Sequence, residues 1–164
     1  MQASREPSRT RKVFVGGPIR DAISGNGYDA VLRVLITQIL SLLDDAAYEV
    51  FSAHRAESFG LVHGQSSHEI AKRDFDWMNR CDTFVAVLPP DHNGVMRTDG
   101  THVELGWASA LGKPIVTVAP LPLPATYGHL LRGLPAIARV EFVDIREIQE
   151  RPGVLQEVIE RQFR

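Results

Sequence analysis

Five short, almost continuously apolar runs recur along the chain, and each is followed by a longer stretch broken by polar residues. The runs are KVFVGG (12–17), YEVFSA (48–53), DTFVAVL (82–88), PIVTVA (114–119) and ARVEFVD (138–144). A strand with one wet face alternates apolar and polar residues; these do not, so both of their faces are covered. The intervening segments supply the cover. YDAVLRVLITQILSLLDDA places Val31, Leu32, Leu35, Ile39, Leu42 and Leu43 at helical spacing. SSHEIAKRDFDWMNR reads as a more polar helix with Ser67 as its N-cap, and THVELGWASALG as a third that ends at Gly112 before Pro114. PGVLQEVIERQF is a fourth, with Pro152 near its first turn. Strands separated by helices, joined by right-handed crossovers, predict an α/β doubly wound, flavodoxin-like sandwich with a five-stranded parallel sheet in order 2-1-3-4-5.

At 164 residues the chain suits one domain with a sizeable core. We expect that domain over 12–164, preceded by a flexible basic tail, 1–11, carrying Arg5, Arg9 and Arg11. A net charge of −2 gives no general attraction to nucleic acid or an anionic membrane. The lone Cys81 excludes an internal disulfide and a cysteine metal cluster, which fits a reducing cytoplasm. No segment approaches the roughly 18 apolar residues of a membrane span, and the polar start is not a secretory signal. His54, His63 and His68 lack metal-ligand spacing, so no metal is expected, and no organic cofactor.

Ligands of open α/β sheets bind beyond the carboxyl ends of the strands. Three groups of residues converge there. In GGPIRD, Gly16 and Gly17 let backbone N–H groups approach an anion and Arg20 offers a charged fork, although plain turn chemistry also explains the glycines. In TDGTHVELGW, Thr98, Asp99, Gly100 and Thr101 open a helix, a natural anion pocket. Glu104 follows, flanked by Val103 and Leu105; it is either an acid complementing the helix dipole or a group aimed at a ligand, and the helix start favours its ionised form. In RDFDWMNRCD, Asp74 reads by spacing alone as a solvated helix acid.

Taken together, FVGGPIR, RDFDWMNRCDTFVAVL and DGTHVELGWASALGKP resemble the nucleoside 2-deoxyribosyltransferase superfamily over nearly the whole chain. Within it, AHRAESFG and GTHVELGWAS are similar to the nucleoside 5′-monophosphate N-glycosidases, in particular the CMP and hydroxymethyl-CMP hydrolases of the mildiomycin and blasticidin pathways. The resemblance implies a small-molecule nucleotide substrate, Glu104 as nucleophile toward the anomeric carbon, and Asp74 as a second catalytic acid. It places Gly17, Ile19, Arg20, Thr98, Gly100 and Thr101 around the substrate and its phosphate, and Phe14, His54 and Arg55 around base and sugar. Phe14 stands where many members have Tyr, and the mildiomycin-type enzymes share this Phe. The family also builds its sites across a homodimer interface, so Tyr127 or His129 is expected to come from a partner chain.

Thr98, six residues before Glu104, is the informative position. Transferases that act on free nucleosides carry Asp there, and a carboxylate would repel a phosphate that a hydroxyl can bind. Asp99 lies next door, so a one-residue slip would restore the transferase arrangement. The expected activity is hydrolysis of a CMP-like nucleotide to free base and sugar 5-phosphate. A 2-deoxyribosyltransferase and a non-catalytic nucleotide-binding module remain the alternatives.

Overall fold

The apolar runs pair with one another in the computed structural model, which describes residues 9–91, 94 and 96–164. The sheet strands are β1 (Lys12–Gly16), β4 (Glu49–Ser52), β5 (Thr83–Val87), β6 (Ile115–Ala119) and β7 (Val140–Asp144). They lie parallel in the order β4-β1-β5-β6-β7, which is the expected 2-1-3-4-5. All residues of β5 and β6 are buried, as continuous apolar strands at the middle of a covered sheet must be. A small antiparallel hairpin, β2 (Ile23–Ser24) and β3 (Gly27–Tyr28), follows β1. It had no sequence signal beyond its glycines.

The helices are α1 (Ala30–Asp45), α2 (Ala53–Ala56), α3 (Ser67–Arg80), α4 (Asp99–Ala110), α5 (His129–Gly133), α6 (Ile145–Glu150) and α7 (Val154–Arg161). On α1 the buried face is Leu32, Leu35, Ile36, Ile39, Leu40 and Leu43. Val31, read as apolar cover, is 76% exposed, because the buried stripe starts one residue later. Helix α3 is capped by Ser66 rather than Ser67: the Ser66 hydroxyl accepts from the Glu69 N–H while the Glu69 carboxylate accepts from the Ser66 N–H. Helix α4 starts at Asp99, earlier than the apolar pattern suggested, with Thr98 as its N-cap residue.

Two apolar layers flank the sheet. One gathers α1, α6 and α7 against Val13, Val15, Val85, Val116 and Val143. The other packs Phe14, Phe84, Met78, Leu105 and Ala108 under α3 and α4. Strand-end residues of β1 and the starts of α3 and α4 therefore meet at one edge. Residues 1–8 of the expected basic tail lie outside the described residues. Arg9 and Arg11 reach back onto the fold, pairing with Asp82 at 3.2 Å and Glu160 at 2.9 Å. No helix among the described residues is long and apolar enough to cross a membrane.

Candidate active site

At the carboxyl edge of β1 a cleft of about 450 Å³ is lined by Gly16, Gly17, Pro18, Ile19, Arg20, Asp21, Ala53, Glu57, Ile70, Asp74, Thr98, Asp99, Gly100, Thr101 and Glu104. The convergence has a local cause in each element. Strand β1 ends in two glycines, so the chain turns without side chains to fill the space. A Cβ added at Gly16 would collide with the Glu104 carboxylate and come within 3.0 Å of the Phe84 ring. Glu104 thus lies directly against the strand backbone, which only a glycine allows. At Gly100 an added Cβ meets no protein atom within 4 Å, so the first turn of α4 faces open space.

Glu104 is 7% exposed and Asp74 8% exposed. Burial pushes the Glu104 carboxyl well above the usual carboxylate range; Asp74 adds to the effect, Arg73 opposes it and Glu57 reinforces it. The helix start was expected to favour the ionised form. Desolvation outweighs it, because the dipole acts at a partly screened terminus while burial removes water from the whole group. Asp74 is also raised, again by burial first, with Arg73 holding it down. Its solvated-acid reading by spacing is therefore not what the fold makes of it.

Thr98 is buried and its hydroxyl bonds that of Thr101 at 2.6 Å. Asp99 instead holds Arg97 at 2.7 Å with its side chain 70% exposed. The N–H groups that open α4 have no partner within the helix, as at any helix start. Arg20 reaches the cleft from the turn after β1 and is exposed.

Several expected residues do not line the cleft. Phe14 is fully buried, edge-on to Trp77 at 5.7 Å and tilted against Phe84 at 5.2 Å. His54 is fully buried beneath the turn, its Nε2 3.1 Å from the Pro18 carbonyl. Burial pushes its imidazole down to about 4, so at neutral pH it is uncharged and Nε2–H donates to that carbonyl. Arg55 turns outward to Asp44, 2.6 Å away. Tyr127 is kept by its own chain, its hydroxyl donating to the Leu88 carbonyl at 2.8 Å. His129 opens α5 and is exposed.

Three charged residues at the site were not singled out from sequence, and one of them, Asp21, lines the cleft from the turn after β1. Glu57 lines the cleft, and Arg73 lies behind Asp74, with its Nε 2.8 Å from Asp74 Oδ1 and Nη2 2.6 Å from Glu57 Oε1. The adjacency of Arg73 to Asp74 was visible; the Glu57 partnership, across a loop, was not.

The parallel sheet with helices on both faces is a flavodoxin-like fold, and buried acids face a cleft at its carboxyl edge, where such sheets bind ligands. The sequence profile of the nucleoside 2-deoxyribosyltransferase family matches residues 24–134, and the chain belongs to that family. The family is enzymatic, and its chemistry is at the glycosidic bond of nucleosides and nucleotides. The solution structure of BlsM is 31% identical and covers 94% of this chain and 95% of its own, with a TM-score of 0.72. The CMP N-glycosidase BcmB of Clostridium botulinum shares the fold at 24% identity, covering 88% of this chain and 99% of its own, with a TM-score of 0.62. A conserved protein from Enterococcus faecalis V583 shares it at 20% identity, covering 87% and 99%, with a TM-score of 0.52. No curated protein matches the sequence.

Proposed function

We propose that the protein is a nucleoside 5′-monophosphate N-glycosidase that releases the base from a CMP-like nucleotide. The observation that carries this reading is that one cleft is lined both by the buried acids Glu104 and Asp74 and by Thr98, Thr101, the opening residues of α4 and Arg20. The buried Thr98, whose hydroxyl bonds that of Thr101, supports a hydroxyl at the 5′ end, while Asp99, which also lines the cleft, is ion-paired to Arg97. CMP is the first substrate to test because BcmB, of the same fold, is a CMP N-glycosidase.

The chemistry follows from charge. Cleavage of the glycosidic bond builds positive charge on the sugar, which an ionised Glu104 stabilises and captures by bonding C1′ as the C1′–N1 bond breaks. The departing pyrimidine gains negative charge and takes a proton from Asp74. Water then attacks C1′, gives its proton to Asp74 and frees Glu104, so sugar 5-phosphate leaves and both acids return to their starting forms. The phosphate, held about the Thr98 end, fixes C1′ against Glu104 through binding energy remote from the reaction.

The test is release of free base from CMP, dCMP, AMP, GMP and cytidine in separate incubations. Base from CMP and none from cytidine is expected, and Arg20→Met should raise KM for CMP about 10-fold or more, the worth of one charged hydrogen bond. Equal turnover of cytidine would contradict the phosphate requirement. Base exchange from a deoxynucleoside would favour the transferase, and no turnover of any kind the binding module.

A homodimer is part of the proposal. Leu130 is 90% and Ile137 79% exposed, and together with Leu105 and Leu134 they border an apolar hollow of about 310 Å³ beside α4. Burial against a second copy would remove this patch from water. Leu130→Asp is expected to convert a dimer into a monomer by light scattering; a monomeric parent protein would remove the idea.

A further inference from the structure

Arg73 is held more completely than an exposed helix arginine. Its Nε donates to Asp74 Oδ1 at 2.8 Å, its Nη2 to Glu57 Oε1 at 2.6 Å and its Nη1 to Gln65 Oε1 at 3.0 Å. The guanidinium also lies over the Trp77 ring, 4.7 Å from its centroid, and Trp77 is in turn stacked on Phe51 at 5.8 Å. Three acceptors and an aromatic floor leave a planar fork little freedom. Its side chain and that of Glu57 are only 16% and 15% exposed, so the pair is shielded from the screening that weakens surface ion pairs.

Resting on the glycosidase reading, we propose that Arg73 is a positioning residue, clamped by Glu57 and Gln65, that holds one oxygen of Asp74 so that the other serves the cleft. The arrangement also answers an electrostatic problem. Glu57, Asp74 and Glu104 all line the cleft, and burial raises the Asp74 and Glu104 carboxyls, so both resist ionisation. The remaining charged groups around it are Arg20 and Asp21 from the turn after β1 and Asp99 from the start of α4. Arg73 is the cation that bonds Asp74 directly. It makes Asp74 a stronger acid toward the leaving base and eases ionisation of Glu104, bringing both nearer the operating pH. Lysine at this position would keep the charge but not the fork.

The closing experiment compares the unmodified protein with Arg73→Gln, Arg73→Lys and Glu57→Gln. It measures kcat and KM for CMP against pH, and titrates the Asp74 carboxyl by 13C NMR. Arg73→Gln is expected to lower kcat about 100-fold with KM within about 3-fold, and to move the acid limb of the kcat profile to higher pH. Arg73→Lys should restore the acid limb and only part of kcat. Glu57→Gln, which removes one anchor and leaves Asp74 bonded, should lower kcat about 10-fold. The proposal is overturned by an unmoved acid limb in Arg73→Gln, by a loss confined to KM, or by Arg73→Lys behaving as Arg73→Gln. If Arg73→Gln does not fold by circular dichroism, Glu57→Gln decides. Should the unmodified protein release no base from any nucleotide, the glycosidase reading falls. The NMR titration still tests the clamp: Asp74 must titrate higher in Arg73→Gln and lower in Glu57→Gln, which removes a neighbouring negative charge and leaves the Arg73 bond. Where the first does not fold, an Asp74 titration unmoved in Glu57→Gln overturns the coupling.

Discussion

Glu104→Gln is expected to abolish base release, by about 1,000-fold or more, and at the same time to make the protein more stable above neutral pH. The first effect follows because an amide can neither bond C1′ nor balance the charge on the sugar. The second follows from burial. Glu104 is enclosed beside Asp74 and Glu57, and its folded-state pKa is raised well above its ordinary value. A carboxyl raised in this way contributes full stability below its unfolded pKa and loses it as pH rises through the folded pKa. The amide has no such loss. Thermal melts of the two proteins should therefore diverge progressively as pH rises above the ordinary carboxylate range, with the amide variant higher, and converge toward about pH 4. Each kcal/mol of difference would appear as about 2–4 °C for a chain of this size. His54, buried and pushed down to about 4, destabilises the fold on the acid side instead; it does so in both proteins and cancels from the comparison. Coincident melts at every pH would mean that Glu104 is solvated and free to ionise. Undiminished turnover in the variant would remove it from the chemistry.

Gly16→Ala should be nearly as damaging to activity, although it changes no group that takes part in the reaction. A methyl at Gly16 falls on the Glu104 carboxylate and 3.0 Å from the Phe84 ring. The backbone there is ordinary strand, pairing with Ala86 across the sheet, so no conformational strain is involved. Phe84 is fully buried and cannot retreat, whereas Glu104 can swing toward the cleft. The carboxylate is then displaced by more than the roughly 1 Å that already costs about 100-fold in a positioned reaction. We expect kcat to fall by about that factor, with a loss of about 1–3 kcal/mol in stability from overpacking. Circular dichroism and melting report the fold, and steady-state kinetics the loss. Full activity in Gly16→Ala would show that Glu104 does not work from its place against β1.

Both effects depend on a residue pair, Gly16 and Glu104, that is far apart in sequence. Each was legible separately. Gly16 closes an apolar run, and Glu104 is out of place between Val103 and Leu105. Their contact was not legible, because it depends on how α4 packs over β1. The same holds for Phe14. The resemblance placed it at the base and sugar, but it faces the α3 and α4 layer and fills the core with Trp77 and Phe84. The resemblance placed Arg55 around base and sugar, and in the fold the short α2 turns it out to Asp44.

The chain's own order of residues was enough for the sheet, its strand order and the positions of the main helices. Continuous Val, Ile and Phe runs can be satisfied only in a covered parallel sheet, and handed crossovers leave few ways to arrange five of them. It was also enough to bring the β1 turn, Asp74 and the start of α4 to one edge, since strand ends and helix starts share that edge in every such sheet. The tertiary structure alone decided the upward shift of the Glu104 carboxyl, the contact of His54 with the β1 turn and the hydrogen bonds of Arg73 to Glu57 and Asp74. Each of these depends on desolvation or on a contact between segments remote along the chain. Periodicity reports which face a residue takes; it carries no information about which group stands opposite or how much water remains between them.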